Sequence, residues 1–401
     1  MRIRKTRLYF VTGGLLAMLL SDQSRRLVPA FWQTGLTPGG VGRFVIQEEG
    51  DITLKFVAAR LGAGNLELVP VPFYQDQGPG TRSIAEIARR FTLETQRPVI
   101  AAINGGFFDT ATGLPIGFLL RDGRMDFFNM PQGFQRSMVG FSSAGTSGEG
   151  SHVWINSPRV MPKVWLDTFM VGAGRPMRTD TLAVHHINVP GGKHALALFT
   201  PIYASSLKPP ENSIYLAAHA EPGRPGVYRV SEICKRGLVR IPSDGLVVAL
   251  HGDARAKAGL FPIGALIRPR WSLPADWTDH AVMHGLLAGP RLLEAGKVQV
   301  TAKAERLDSL KSRDRVALAV KANGDAILVW AHKNTPGNLS FEQVAQVLAK
   351  MGAEEAIALD GGKSRAILAQ AGDTYADERY FEGGRPVANA LVLAVKAPTH
   401  S

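Results

Sequence analysis

A chain of 401 residues that is 45% hydrophobic and 20% charged, with 18 Phe, 7 Tyr and 6 Trp, has the means to build a large core, which excludes a disordered protein. Its 43 glycines follow no three-residue period, so a collagen-like fibre is excluded too, and its single cysteine, Cys234, excludes a disulfide framework and any cysteine-based zinc or iron–sulfur centre. Lys and Arg number 46 against 34 acids, a formal charge of +12 that suits nucleic acid, a membrane surface or an anionic small molecule as partner.

Much of that charge lies at the start of the chain. Residues 1–28 hold six basic residues (Arg2, Arg4, Lys5, Arg7, Arg25 and Arg26) against one acid, Asp22, and so account for +5. Between the basic clusters, Leu8 to Leu20 is uncharged over thirteen residues. A basic segment followed by an apolar run of this length reads as an export signal, and it is short of the roughly 20 residues of a spanning helix. No A-x-A site follows, so segment 1–28 is expected to be an export signal or, uncleaved, a short membrane anchor. Either places the body in the periplasm or outside the cell, with membrane contact only through this segment.

From Phe44 onward short apolar runs alternate with Gly/Pro punctuation. Strands are expected at Ile52–Ala58, Val99–Ile103, Ile116–Leu120, Ala195–Phe199, Leu246–Leu250, Val316–Val320, Ala326–Trp330, Ala356–Leu359 and Ala390–Val395. Two helices are marked by capping boxes, Ser83-Ile84-Ala85-Glu86 and Ser340-Phe341-Glu342-Gln343, running to about Thr95 and about Met351. Each helix leads to a strand that stops in a glycine pair, Asn104-Gly105-Gly106 and Asp360-Gly361-Gly362. Two such units suggest that both strand ends line one site, since chemistry gathers at strand-end loops. The expected fold class is α+β: mixed β-sheets with a few flanking helices in a single elaborate domain over about 45–396.

Spacing excludes several chemistries. Gly361-Gly362-Lys363-Ser364 ends like a phosphate-binding P-loop, but Ile357 stands where that motif needs glycine. Neither G-x-S-x-G nor G-x-G-x-x-G occurs. His280 and His284 have the i, i+4 spacing of zinc ligands, yet Ala281 follows His280 where a metalloprotease needs Glu. Basic residues do not interleave with aromatics as in a nucleic-acid module, so nucleic acid is not expected as a partner.

A resemblance emerges from motifs read in order. They are Ala101-Ala102-Ile103-Asn104-Gly105-Gly106-Phe107-Phe108-Asp109, Gly113-Leu114-Pro115-Ile116-Gly117, Ala197-Leu198-Phe199-Thr200-Pro201-Ile202-Tyr203 and Ala288-Gly289-Pro290-Arg291-Leu292-Leu293. Further on stand Arg315-Val316-Ala317-Leu318-Ala319, Leu359-Asp360-Gly361-Gly362-Lys363-Ser364 and Gly384-Arg385-Pro386-Val387-Ala388-Asn389-Ala390. This series resembles the phosphodiester glycosidase family over about residues 45–396. Two departures stand out: Lys363 occupies the place of a third glycine, and Trp330-Ala331-His332 ends a strand after which the family often has Asp-Gly-Arg.

The resemblance implies an exported hydrolase that cleaves the glycosidic bond of a sugar-1-phosphodiester in a glycan or envelope polymer. Such a reaction needs an anion cradle for the departing phosphomonoester and a carboxylate at the anomeric centre. Asp360 and Asp109 are then the candidate catalytic carboxylates, and His284 a candidate acid. Arg315 and Arg385 would clamp phosphate, aided by Ser364 and the N–H groups of Gly105, Gly106, Gly361 and Gly362. Asn104 and Asn389 would orient sugar hydroxyls. No metal site or cofactor is implied, although a divalent cation such as calcium would suit the acids. The alternative is a non-catalytic carbohydrate- or envelope-binding protein that uses the same cleft.

Overall fold

The structure is a computed structural model that describes residues 7–8, 43–61, 65–75, 78–130, 135–142, 152–156, 161–172, 175–190, 192, 194–371 and 378–396. The segment expected to direct export thus lies outside the described residues, except Arg7–Leu8, which pair with Arg43–Glu49. Among the described residues no helix is long and apolar enough to cross a membrane.

Alternation of side-chain size builds the centre of the molecule. In strand Asp314–Val320, Val316 and Leu318 turn to one face and Ala317 and Ala319 to the other; in Glu355–Leu359, Ile357 and Leu359 oppose Ala356 and Ala358 in the same way. Successive strand residues point to opposite faces, so large side chains fill one face while alanines leave the other flat enough for a helix. Helix Phe341–Lys350 covers that flat face with Phe341, Val344, Ala345 and Leu348. These strands belong to an antiparallel eight-stranded sheet with Ile52–Arg60 and Asp325–Lys333 beside them.

The large-residue face stacks on a five-stranded sheet in which Val99–Asn104 lies between Ala366–Ala371 and Asn389–Val395. Here Ala101, Ile103, Ile367, Leu391 and Leu393 point into the shared core. Val99, Ala102, Leu368 and Val392 point outward beneath Ile84, Ile87, Ala88 and Phe91 of helix Ile84–Thr95. Helix, sheet, sheet and helix thus form four layers. A thirteen-stranded sheet adds Leu119, Phe127, Val139 and Leu286 to the central core and closes the rest of its length on a second one around Trp277 and Phe261.

All nine expected strands are present with ends displaced by up to a turn's worth of residues; Ala326–Trp330, for instance, lengthens to Asp325–Lys333. Strand accounts for 51% of the structure and helix for 13%, so it is sheet-dominated within the α+β class. The sheets are less mixed than expected. Every pairing among the described residues is antiparallel except the short one between His186–Ile187 and Leu196–Phe199.

Of the two expected capping boxes, one is complete. Ser340 accepts from the Gln343 N–H at 3.1 Å and the Gln343 side chain accepts from the Ser340 N–H at 3.0 Å. Ser83 accepts from the Glu86 N–H at 3.2 Å, but the Glu86 carboxylate turns to Arg82 instead of back to the cap. Ser340→Ala is expected to lower stability by about 1 kcal/mol in chemical denaturation.

Candidate active site

The two glycine pairs meet although their strands lie in different sheets. The Asp360 N–H donates to the Gly105 carbonyl at 3.0 Å, and the Gly105 N–H to the Asn389 carbonyl at 3.1 Å. The Asn104 side chain donates to the Asp360 carbonyl and accepts from the Ala366 N–H at 3.0 Å. The Asn389 side chain accepts from the Gly106 N–H at 2.7 Å and donates to its carbonyl at 3.3 Å. Both asparagines are buried. They stitch backbone together and so position the site, where the sequence suggested contact with sugar hydroxyls. The first glycine pair answers to space: a Cβ on Gly105 would fall 2.1 Å from Asn389 Oδ1, and one on Gly106 2.4 Å from the Leu287 carbonyl oxygen.

Asp360 is the carboxylate of this junction. It is 9% exposed, and its Oδ2 is buried with no hydrogen-bond partner among the described residues. Burial pushes its carboxyl up to about 6, against the Ser364 hydroxyl, the Arg385 charge and the Gly361 N–H, which favour the ionised form. A buried polar atom without a protein partner is costly and calls for a physical explanation. Arg385 Nε donates to Ser364 Oγ at 2.9 Å, and its guanidinium lies 5.2 Å from the Phe108 ring centre. Ser364 is buried and Arg385 exposed, so Asp360, Ser364 and Arg385 run from the interior to the surface.

Three expected residues serve elsewhere. Asp109 is exposed, and its Oδ1 accepts from the N–H groups of Ala111 at 2.8 Å and Thr112 at 3.2 Å, the bonding of a turn-capping aspartate. His284 lies in the core, its Nδ1 accepting from the Asp122 N–H at 3.2 Å and its Nε2 3.9 Å from the carboxylates of Glu67 and Asp122. Burial there lowers its affinity for a proton. Arg315 donates to the carbonyls of Leu339 at 3.0 Å and Leu310 at 2.5 Å and stacks 4.2 Å from the Phe341 ring centre. Being one residue out of step with Val316, it emerges on the helix-covered face and anchors loops there. Of the two expected arginines, Arg385 is the one whose guanidinium lies at the junction.

A second polar group adjoins the first. Asp314 Oδ1 accepts from Trp330 Nε1 at 2.9 Å and His332 Nδ1 at 2.8 Å, and Arg365 Nε lies 3.3 Å away. Arg365 and Lys55 flank the Trp330 ring at 5.3 Å and 4.6 Å, and Lys55 pairs with Glu382. The sequence held a signal for this group. A tight Asn323-Gly324 turn pairs Val320 with Ala326, and counting outward sets Asp314 opposite His332, as observed. Among the described residues no group of three or more His, Cys, Asp or Glu is placed to hold a metal ion, so calcium finds no ligand set there.

Residues 226–394 match the model of the phosphodiester glycosidase family. That segment is similar to a phosphodiester glycosidase domain. It contains Asp314, Asp360, Ser364, Arg385 and Asn389, while Asn104–Phe108 precede it in the chain and reach its site through the five-stranded sheet. No curated protein matches the chain. Among solved structures, a Synechocystis protein of unassigned role is similar with a TM-score of 0.64 and 23% identity, over 88% of this chain and 61% of its own. A Burkholderia pseudomallei protein whose name describes it as exported is similar with a TM-score of 0.59 and 19% identity, over 88% of this chain and 74% of its own. The catalytic domain of zebrafish N-acetylglucosamine-1-phosphodiester alpha-N-acetylglucosaminidase aligns with a TM-score of 0.43 and 12% identity, over 91% and 86%. The chain thus spans 61% of the length of the Synechocystis protein, with which it shares the fold that carries the phosphodiester glycosidase domain.

Proposed function

We propose that this chain is an exported hydrolase that cleaves the glycosidic bond of a sugar-1-phosphodiester in a glycan or envelope polymer. The observation that carries this reading is the buried, unpartnered oxygen of Asp360 behind the Ser364–Arg385 pair. A carboxylate beside an anomeric carbon stabilises the positive charge that grows as the glycosidic bond breaks. The electron pair of that bond passes to the phosphate oxygen, and a phosphomonoester leaves with little need of a proton. Arg385 offers a planar, permanently charged donor to the phosphate, with the Ser364 hydroxyl beside it.

The test is a panel of sugar-1-phosphodiesters offered to the purified protein, with release of phosphomonoester as the readout. Arg385→Ala is expected to raise KM about 10- to 100-fold, the loss that accompanies removal of a hydrogen bond to a charged group. An unchanged KM would remove Arg385 from the phosphate. Export is supported by the basic-apolar pattern of residues 1–28 and by likeness to a protein described as exported. It is checked by fractionating cells that make the full chain. A second reading, glycan binding without turnover, draws on exposed Lys363 in place of a third glycine and on Asp109 capping a turn, which leaves one carboxylate at the junction. Tight binding with no hydrolysis across the panel would establish it.

A further inference from the structure

The phosphodiester glycosidase reading leaves one step unserved: the attacking water must lose a proton, and Asp360 is occupied at the anomeric centre. Neither Asp109 nor His284 is placed to take that proton. The Asp314–His332 pair, which the reaction so far does not use, has the form of a proton-transfer device.

Its geometry comes from the strand register. Asp314 and His332 are opposite partners on adjacent strands, two residues beyond the pair Val316 and Trp330, so all four project from the same face of the eight-stranded sheet. Val316 and Trp330 lie in the core between the stacked sheets, which sets Asp314 and His332 at the mouth of that space. The same counting continues to the next strand: Val316 pairs with Leu359, so Asp314 lies alongside Gly361, and the Asp314 carbonyl would be 3.3 Å from a Cβ there. Arg365 ties the two groups together, with Nε 3.3 Å from the Asp314 carboxylate and Nη1 donating to the Gly362 carbonyl at 3.4 Å. The pair therefore flanks the turn that bears Asp360 and Ser364.

The chemistry follows from the hydrogen bond. The Asp314 side chain is 11% exposed and that of His332 36%. A carboxylate that accepts from Nδ1–H holds the imidazole in one orientation and one tautomer, leaving Nε2 as the basic nitrogen. Nε2 has no hydrogen-bond partner among the described residues, whereas Nδ1 is committed to Asp314 at 2.8 Å. The charged group bonded to the imidazole is Asp314, and Arg365 lies 3.3 Å from that carboxylate, while Lys55, paired with Glu382, and Arg365 flank the neighbouring Trp330 ring.

We propose that His332, positioned by Asp314, is the general base of this site and takes the proton from the water that attacks the anomeric carbon. The proposal rests on the phosphodiester glycosidase reading. The water oxygen bonds to the anomeric carbon as the bond to the phosphate oxygen breaks. The electron pair stays with the phosphomonoester, and one water proton moves to Nε2 and then to solvent. Asp314 acts through His332 and is a positioning residue.

The experiment uses the full chain and whichever sugar-1-phosphodiester the wild type cleaves, comparing His332→Gln, His332→Ala, Asp314→Asn and Asp360→Asn. For His332→Gln, kcat is expected to fall about 10²- to 10⁴-fold with KM within about threefold, the usual share of general base catalysis. Added imidazole restores part of kcat to His332→Ala and none to Asp360→Asn, a rescue that a merely structural role would not show. Asp314→Asn lowers kcat at least about tenfold with KM held, because the tautomer is no longer fixed. Melting temperatures near the wild-type value confirm that each variant folds. If His332→Gln keeps full kcat while Asp360→Asn is inactive, the base assignment falls and the glycosidase reading stands. If the loss appears in KM alone, His332 is a phosphate contact and the proposal is overturned. A wild type that cleaves nothing overturns both.

Discussion

Asp360→Asn is expected to silence the protein and to stabilise it at the same time. In the folded state burial raises the carboxyl from 3.8 to about 6, so ionising it above that pH costs free energy that the unfolded chain does not bear. The sign is fixed by proton counting. Between 3.8 and about 6 the folded state holds the proton more tightly than the unfolded state, so Asp360 subtracts stability as pH rises through that window. Above it the deficit is fully present, at roughly 3 kcal/mol for a shift of this size. The neutral amide removes the deficit. Its melting temperature should therefore exceed the wild-type value at pH 7.5, and the gap should close as pH falls below 3.8. Turnover should fall about 10²- to 10³-fold, the scale on which one preorganised electrostatic group contributes. A variant no more stable than wild type at pH 7.5 would show that the carboxylate is already compensated and not held for a substrate.

Gly106→Ala should have the second large effect. The new methyl would sit 2.4 Å from the Leu287 carbonyl oxygen and 3.2 Å from the Leu286 side chain. A carbonyl in a paired strand cannot swing aside as a flexible side chain would, so the loop itself must move. Overpacking of this kind costs roughly 1–3 kcal/mol. The moved loop also loses the Gly106 N–H bond to Asn389 that helps hold the Asp360 junction. Loss of both stability and kcat is expected, measured by denaturation and turnover. Gly259→Ala is the control: a Cβ there meets nothing within 4 Å, and stability should stay within about 0.5 kcal/mol of wild type.

What the sequence disclosed depended on whether local rules were enough. Strands such as Val99–Asn104 were legible because their apolar runs end in glycine, and the Ser340 helix because its cap is a local device. The meeting of Asn104-Gly105-Gly106 with Asp360-Gly361-Gly362 was legible as a parallel between two strand ends. Side-chain direction was not. Arg315 lies in a strand apolar on both faces, so alternation could not say which face lined a cleft and which lay under a helix. Asp109 and Asp360 both precede turns, and only burial separates a turn cap from a carboxyl pushed up to about 6. His284 drew notice through its spacing from His280 and as a candidate acid, whereas His332 finds its partner Asp314 eighteen residues away across a hairpin.

The strand Val99–Asn104 has both of its neighbours, Ala366–Ala371 and Asn389–Val395, near the far end of the chain. Gly106 and Asn389 are 283 residues apart, an interval of roughly 15–60 s at a synthesis rate of 5–20 residues per second. Until the last strands are made, the middle of the five-stranded sheet has nothing to pair with and the Asp360 junction cannot close. The Asp360 junction is therefore among the last parts of the molecule to assemble, and its completion waits on the C-terminal strands.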